Sequence, residues 1–226
     1  MNLSLSLAGL RRPRGVWTAV GALALVGVLT GTTLLLSGDD DGVTDDGPHL
    51  LLPPEAAGPF YRTGDAVLPE GSEGTVAAFG VEDATTVNAN YATVDPLKPD
   101  VLEDPEARFA IFAGAWGRVE APEAAVDAAF RQLAEDVADS PESRTTLRGA
   151  PERVTPEGAE NAVLKCRLAV GTNVVTGERQ ETQFCMWADH STAGMVVVSR
   201  ANGRTSTEEG ARFAADLRRS ARLAVD

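Results

Sequence analysis

A chain of 226 residues with 20 basic and 33 acidic side chains carries a formal net charge of −13. Three arginines and none of the acids precede residue 37, so the remainder sets 17 bases against 33 acids, a surface that phosphate backbones repel and that argues against nucleic acid as a partner. A hydrophobic content of 43% argues against disorder of the whole chain, and two histidines with two cysteines exclude an elaborate metal centre on count.

No residue from Gly15 to Gly38 is charged, and Val16–Leu36 is an almost unbroken apolar run. As a helix it would be about 31 Å long at ~1.5 Å per residue, matching a hydrocarbon core of ~30 Å. Arg11, Arg12 and Arg14 precede the run and Asp39–Asp41 follow it. Basic flanks stay on the cytoplasmic side, which predicts a short cytoplasmic tail (1–15), a transmembrane helix (16–36) through which the lipid bilayer is the first partner, and an extracytoplasmic remainder. A cleaved secretory signal is the alternative; the run exceeds the usual h-region of ~7–15 residues and no A-x-A-like site follows it. Both readings export what lies beyond Gly38. A tail of about 15 residues is too short for a folded output domain, so any inward signal needs a partner.

Residues 37–60 are rich in Asp, Gly and Pro and read as an acidic flexible tether, interrupted by Leu50–Leu52, which would dock on the domain or the membrane. Asp39, Asp41 and Gly42 start like a calcium loop, but Pro48 falls where the bidentate Glu is needed. The extracytoplasmic domain is then 61–226, beginning near Tyr61. Within it Thr75–Val81, Thr86–Val94 and Arg108–Val119 read as strands, with a bend or bulge at Gly114 and Gly117. Residues 95–106, with three prolines, read as a loop. Pro122–Asp139 is a helix: Pro occupies the first turn, and Val126, Phe130, Leu133 and Val137 recur on one face. Asn161–Val170, Gln180–Ala188 and Gly194–Ser199 read as strands, Met195–Val198 being apolar on both faces as a central strand requires. A final helix is expected over Thr207–Ala224, opened by a Ser206/Glu209 capping box, with Arg218, Arg219 and Arg222 as a solvated, basic C-terminal end. The fold class is α+β: a mostly antiparallel sheet with two main helices.

Cys166 and Cys185 are the only cysteines, and an exported domain meets an oxidising compartment, so a structural disulfide is predicted. If their two strands pair about Val175-Thr176, the two cysteines face each other across the ladder. A redox pair would instead take the C-x-x-C spacing at a helix start.

No nucleophile elbow, P-loop, dinucleotide fingerprint or zincin motif is present, and no cofactor is implied. Asp189-His190-Ser191 names the members of a catalytic triad, but three consecutive turn residues cannot aim at one another as that mechanism needs, and Asp and Ser are what a tight turn prefers. His190 has only His49 as a second imidazole, and His49 falls in the expected tether, so neither metal nor catalytic sites are assigned. Adjacent carboxylates at Glu103-Asp104, Glu135-Asp136 and Glu208-Glu209 read as solvated. Trp116 and Trp187 fall on strands, where a core tryptophan is the ordinary case.

Cys166 upstream, then Cys185-x-Trp187-Ala188-Asp189, then Thr192-x-Gly194 and an apolar strand, and an Ala- and Arg-rich last helix together resemble a group of actinomycete exported, mostly single-pass membrane proteins of unknown function. The resemblance covers about residues 108–225 and marks Trp187, Asp189 and His190 as a signature turn. It implies location, disulfide and architecture, and no reaction. The expected function is therefore a membrane-anchored extracytoplasmic binding or interaction module, non-enzymatic, with a protein or cell-envelope partner. The rival readings are an envelope hydrolase whose catalytic residues the sequence does not reveal, with the surroundings of Asp189 and His190 as the place to test, and an accessory subunit acting through the membrane helix, in which Gly27 and Gly31 form a single G-x-x-x-G.

Overall fold

In the computed structural model, eight of the chain's strands form one large sheet. The structure describes residues 42–66, 72–95, 97, 104, 106–140, 145–172, 177–201 and 203–225. The tail, the apolar run and residues 37–41 lie outside the described residues, as does most of the expected loop 95–106. Among the described residues no helix is long and apolar enough to cross a membrane.

In chain order the elements are β1 His49–Leu51, β2 Ala56–Ala57, β3 Phe60–Gly64, α1 Ser72–Ala77, β4 Glu82–Ala92, β5 Arg108–Arg118, α2 Pro122–Asp139, β6 Thr146–Arg153, β7 Val163–Thr172, β8 Arg179–Ala188, β9 Thr192–Arg200, α3 Thr207–Ala221 and β10 Arg222–Ala224. Eight strands form a sheet in the order β2-β3-β4-β5-β9-β8-β7-β6, while β1 and β10 pair separately. Neighbouring strands run antiparallel throughout. The fold is α+β with two main helices. Two meanders run inward from opposite edges and meet where β5 pairs with β9. Strand β9 is therefore central, which is why it is apolar on both faces. Val196 and Val198 join the core shared with α3, and Met195 and Val197 join the core shared with α1 and α2.

Helix α2 spans the predicted residues and buries Val126, Phe130 and Leu133. The Ser206/Glu209 capping box opens α3. Every pair between β7 and β8 has the predicted register, with Cys166 opposite Cys185.

Several expectations are corrected. The stretch from residue 42 to 60 is not a free tether: Leu51, Ala57 and Phe60 are core residues, and β1 to β3 belong to the folded unit. Composition mistook it because the few apolar residues that anchor it are spread among Asp, Gly and Pro. Of the expected strand Thr75–Val81, residues up to Ala77 form the end of helix α1, because Val76 and Phe79 find their apolar cover beside α2 and Thr75 Oγ1 donates to Asp136 at 2.8 Å. Tertiary contact there outweighs β propensity. Strand β4 runs back through Glu82-Asp83, and the irregularity is a bulge opposite Gly117, with Asp83 at φ 53°. Strand β6 was not anticipated; it is an edge strand carrying Pro151 and several charges, with a register break between Arg148 and Glu152, so it shows no alternation. The last helix stops at Ala221, and residues 222–224 turn into β10 because β1 offers them a ladder.

Candidate functional site

The signature residues Cys185, Trp187 and Asp189 alternate along β8 and its end, so all three project toward α3. Helix α3 runs along that strand, with Gly210 over Cys185 and Arg218 over Asp189. The match is metric: four strand residues at ~3.3 Å cover about 13 Å, and eight helical residues at ~1.5 Å cover about 12 Å. Each of the three side chains makes a different contact with its surroundings.

At the first position, Cys166 and Cys185 are directly paired across β7 and β8, with Cα atoms 4.1 Å apart, and form a disulfide. Gly210 lets the helix sit on it: a Cβ there would lie 3.1 Å from Cys185 Sγ and 2.8 Å from Gln183 Cβ. Trp187, at the second, lies flat over Gly194, its partner on β9, where any added Cβ would collide with the indole. Its ring stacks on Phe112, centroids 5.7 Å apart and planes 11° from parallel. Both are wholly buried, so Trp187 is a core residue.

The third position carries the polar chemistry. Asp189 closes the β8–β9 turn: its N–H donates to Thr192 O at 2.9 Å, and its carboxylate is fully buried. Oδ1 accepts from Ser191 N–H (2.9 Å), Ser191 Oγ (3.1 Å) and Thr192 N–H (2.8 Å). Oδ2 accepts from Thr192 Oγ1 (2.7 Å) and from Arg218 Nε (3.2 Å) and Nη2 (2.9 Å). Arg222 Nε stands 3.2 Å from the same oxygen. Arg218 also donates to the carbonyls of Glu160 and Asn161, both at 3.2 Å; Asn161 adopts φ 59°, a left-handed conformation that Asn tolerates. Arg222 reaches on to Asp46 on the N-terminal segment and, by hydrogen bonding, holds that carboxyl below its ordinary 3.8, with burial working in the opposite direction. Arg218 and Arg222 are therefore not the solvated end that was expected, whereas Arg219 is exposed beside Asp216. The signal was present: Arg218 follows Ala211 and Ala214 at helical spacing, so it is a charge in the apolar stripe of α3.

The triad named in the sequence does not assemble. His190 turns away from Asp189 and Ser191, with Nδ1 3.1 Å from Val119 O and Nε2 3.4 Å from Val43 O. Ser191 Oγ finds the other histidine, 3.4 Å from His49 Nδ1. That nitrogen lies 2.9 Å from Gly47 O, and when it donates there it has no lone pair left to receive the serine proton. Two carboxylate oxygens with six donors have no direction free for a substrate. Both histidines instead bridge the N-terminal segment 43–49 to the β8–β9 turn, reinforced by a reciprocal pair between Thr44 and the Asn161 amide, Thr44 N–H donating to Oδ1 at 2.5 Å and Nδ2 donating to Thr44 O at 2.8 Å.

Elsewhere, Lys165 is nearly buried between Glu123 and Asp127 and ties β7 to the start of α2; burial disfavours its charge, but the hydrogen bonds and charges of the two acids outweigh that and raise its pKa. Glu209, one of the carboxylates read as solvated, pairs with Arg200 and Arg108 and completes the α3 cap. A groove of about 640 Å³ between the β6–β7 connection and α3 is lined by two ion pairs within its own wall, Arg212 with Glu208 and Arg219 with Asp216, and by Glu157. Among the described residues no three His, Cys, Asp or Glu side chains converge as metal ligands. No protein-family model, curated protein or solved structure matches the chain.

Proposed function

We propose that the chain is an exported, membrane-anchored, non-enzymatic module whose folded part binds a protein or cell-envelope partner outside the cytoplasm. The observation that carries the reading is the buried Cys166–Cys185 disulfide, which belongs to an oxidising compartment, taken with the apolar run 16–36 and its basic flank. Support for a non-enzymatic role comes from Asp189, His190 and Ser191, the one catalytic-looking set, whose polar atoms engage neighbouring backbone and side chains. The resemblance to actinomycete exported proteins agrees with this location and adds no reaction.

The test is crosslinking and affinity capture of the full chain from its native membrane, beside a form lacking residues 1–38 that is exported by a cleavable signal. A defined partner retained by both forms is the expected result. A partner lost with residues 1–38 would transfer the function to the membrane helix, and a reaction catalysed by the purified protein and abolished by His190→Ala would overturn the non-enzymatic reading.

A further inference from the structure

The β1–β10 ribbon has two unlike faces. In its register Leu50 opposes Leu223 and Leu51 opposes Arg222, so Leu51 and Arg222 share the inward face while Leu50 and Leu223 share the outward one. The ladder continues past both strands, Leu52 N–H donating to Ala221 O at 2.9 Å and Val225 N–H to Pro48 O at 3.2 Å, which brings Leu52 and Val225 to the outward face as well. Leu52, Leu223 and Val225 are 47%, 46% and 47% exposed, and they are three of the five large apolar residues exposed among the described residues.

The position of this face in the chain says what covers it. The apolar run ends at Leu36, and Val43 and Thr44 are already fastened to the β8–β9 turn and Asn161. Six intervening residues, 37–42, link Leu36 to Val43 by seven Cα–Cα steps and reach at most about 24 Å at ~3.4 Å each. If the run spans a bilayer, the ribbon that follows within seven residues of Gly42 is held close to its surface. Asp46 beside the ribbon is neutralised by Arg222, so apolar contact there meets no unpaired carboxylate from that residue.

We propose that the outward face of the β1–β10 ribbon rests in the interfacial layer of the bilayer that holds residues 16–36, fixing which side of the domain faces the membrane. This rests on the membrane-anchor reading. Contact is through apolar side chains, and a domain this acidic is repelled by anionic headgroups, so on a zwitterionic bilayer the contact is insensitive to salt.

The test uses the full chain in phosphatidylcholine vesicles, with an environment-sensitive fluorophore on Leu223→Cys and, in a second preparation, on the 89% exposed Leu97→Cys. Lipids carrying a nitroxide at a shallow acyl position are the quenchers. The expected result is strong quenching at 223, little at 97, no change in 0.5 M salt as an order-of-magnitude challenge, and loss of quenching at 223 when Leu52→Asp is added. A label at 223 that stays unquenched while the protein resists an alkaline carbonate wash overturns the proposal and leaves the anchor reading standing. Release of the protein by that wash overturns both. Protection of the label that depends on protein density and not on quencher assigns the face to a second copy, which also overturns it.

Discussion

At the scale of single residues, the informative side chains are charges and glycines placed where the surrounding packing leaves no freedom. Asp189 neutralises Arg218, which is 5% exposed, and truncating the acid leaves that buried guanidinium with the carbonyls of Glu160 and Asn161 but no countercharge from Asp189. Breaking one side of a buried ion pair costs about 3–5 kcal/mol, so Asp189→Ala should lower the unfolding free energy by that order in a denaturant titration. A loss under about 1 kcal/mol, the level of an exposed pair, would contradict the network described here. Gly194→Ala tests Trp187 from the other side. The new Cβ must displace a wholly buried indole packed on Phe112, an overpacking that costs typically about 1–3 kcal/mol and should be seen as a lower Tm with altered tryptophan fluorescence.

Elements are joined here by a few cross-links of different chemistry, each with its own sensitivity. The disulfide closes a loop with a sequence separation of 19, for which chain entropy gives about 3 kcal/mol. Thermal melts of the Cys166→Ala/Cys185→Ala double variant should show a loss of that order. The segment 42–52 is fastened partly by charge, and Asp46 makes that fastening acid-sensitive. Hydrogen bonding to Arg222 depresses its folded-state pKa, so its contribution is fully present above its ordinary 3.8 and is lost as pH falls through the lower, folded value. A carboxyl ¹³C titration should therefore place Asp46 below 3.8, and the amide resonances of residues 43–52 should change with the same midpoint. In Asp46→Asn that shared transition should vanish.

For the whole molecule, the folded unit depends on the segment that looks least like part of it. Leu51 is completely buried against Gly114, and β1 is the only strand that pairs with β10 in the described sheet order. A fragment of residues 42–226 should unfold cooperatively, whereas 61–226, the domain as its composition delimits it, should lose cooperativity, since Leu51 alone is a core truncation of about 2–5 kcal/mol. Equal melts for the two fragments would overturn that dependence. What the sequence by itself determined was whatever follows from a local repeat or a count: the α+β class, helix α2, the α3 cap, the central strand β9, and the cysteine pairing, which follows from the midpoint of one turn. Tertiary structure alone decided the rest. Segment 42–60 is anchored by isolated residues such as Leu51 and Phe60, whose partners lie far along the chain. Helix α1 forms because α2 covers it, and β6 is an edge strand with no buried face to impose alternation. Asp189 and Arg218 meet only because helix α3 and strand β8 run side by side with matching rise, a coincidence of two periodicities that neither segment contains alone.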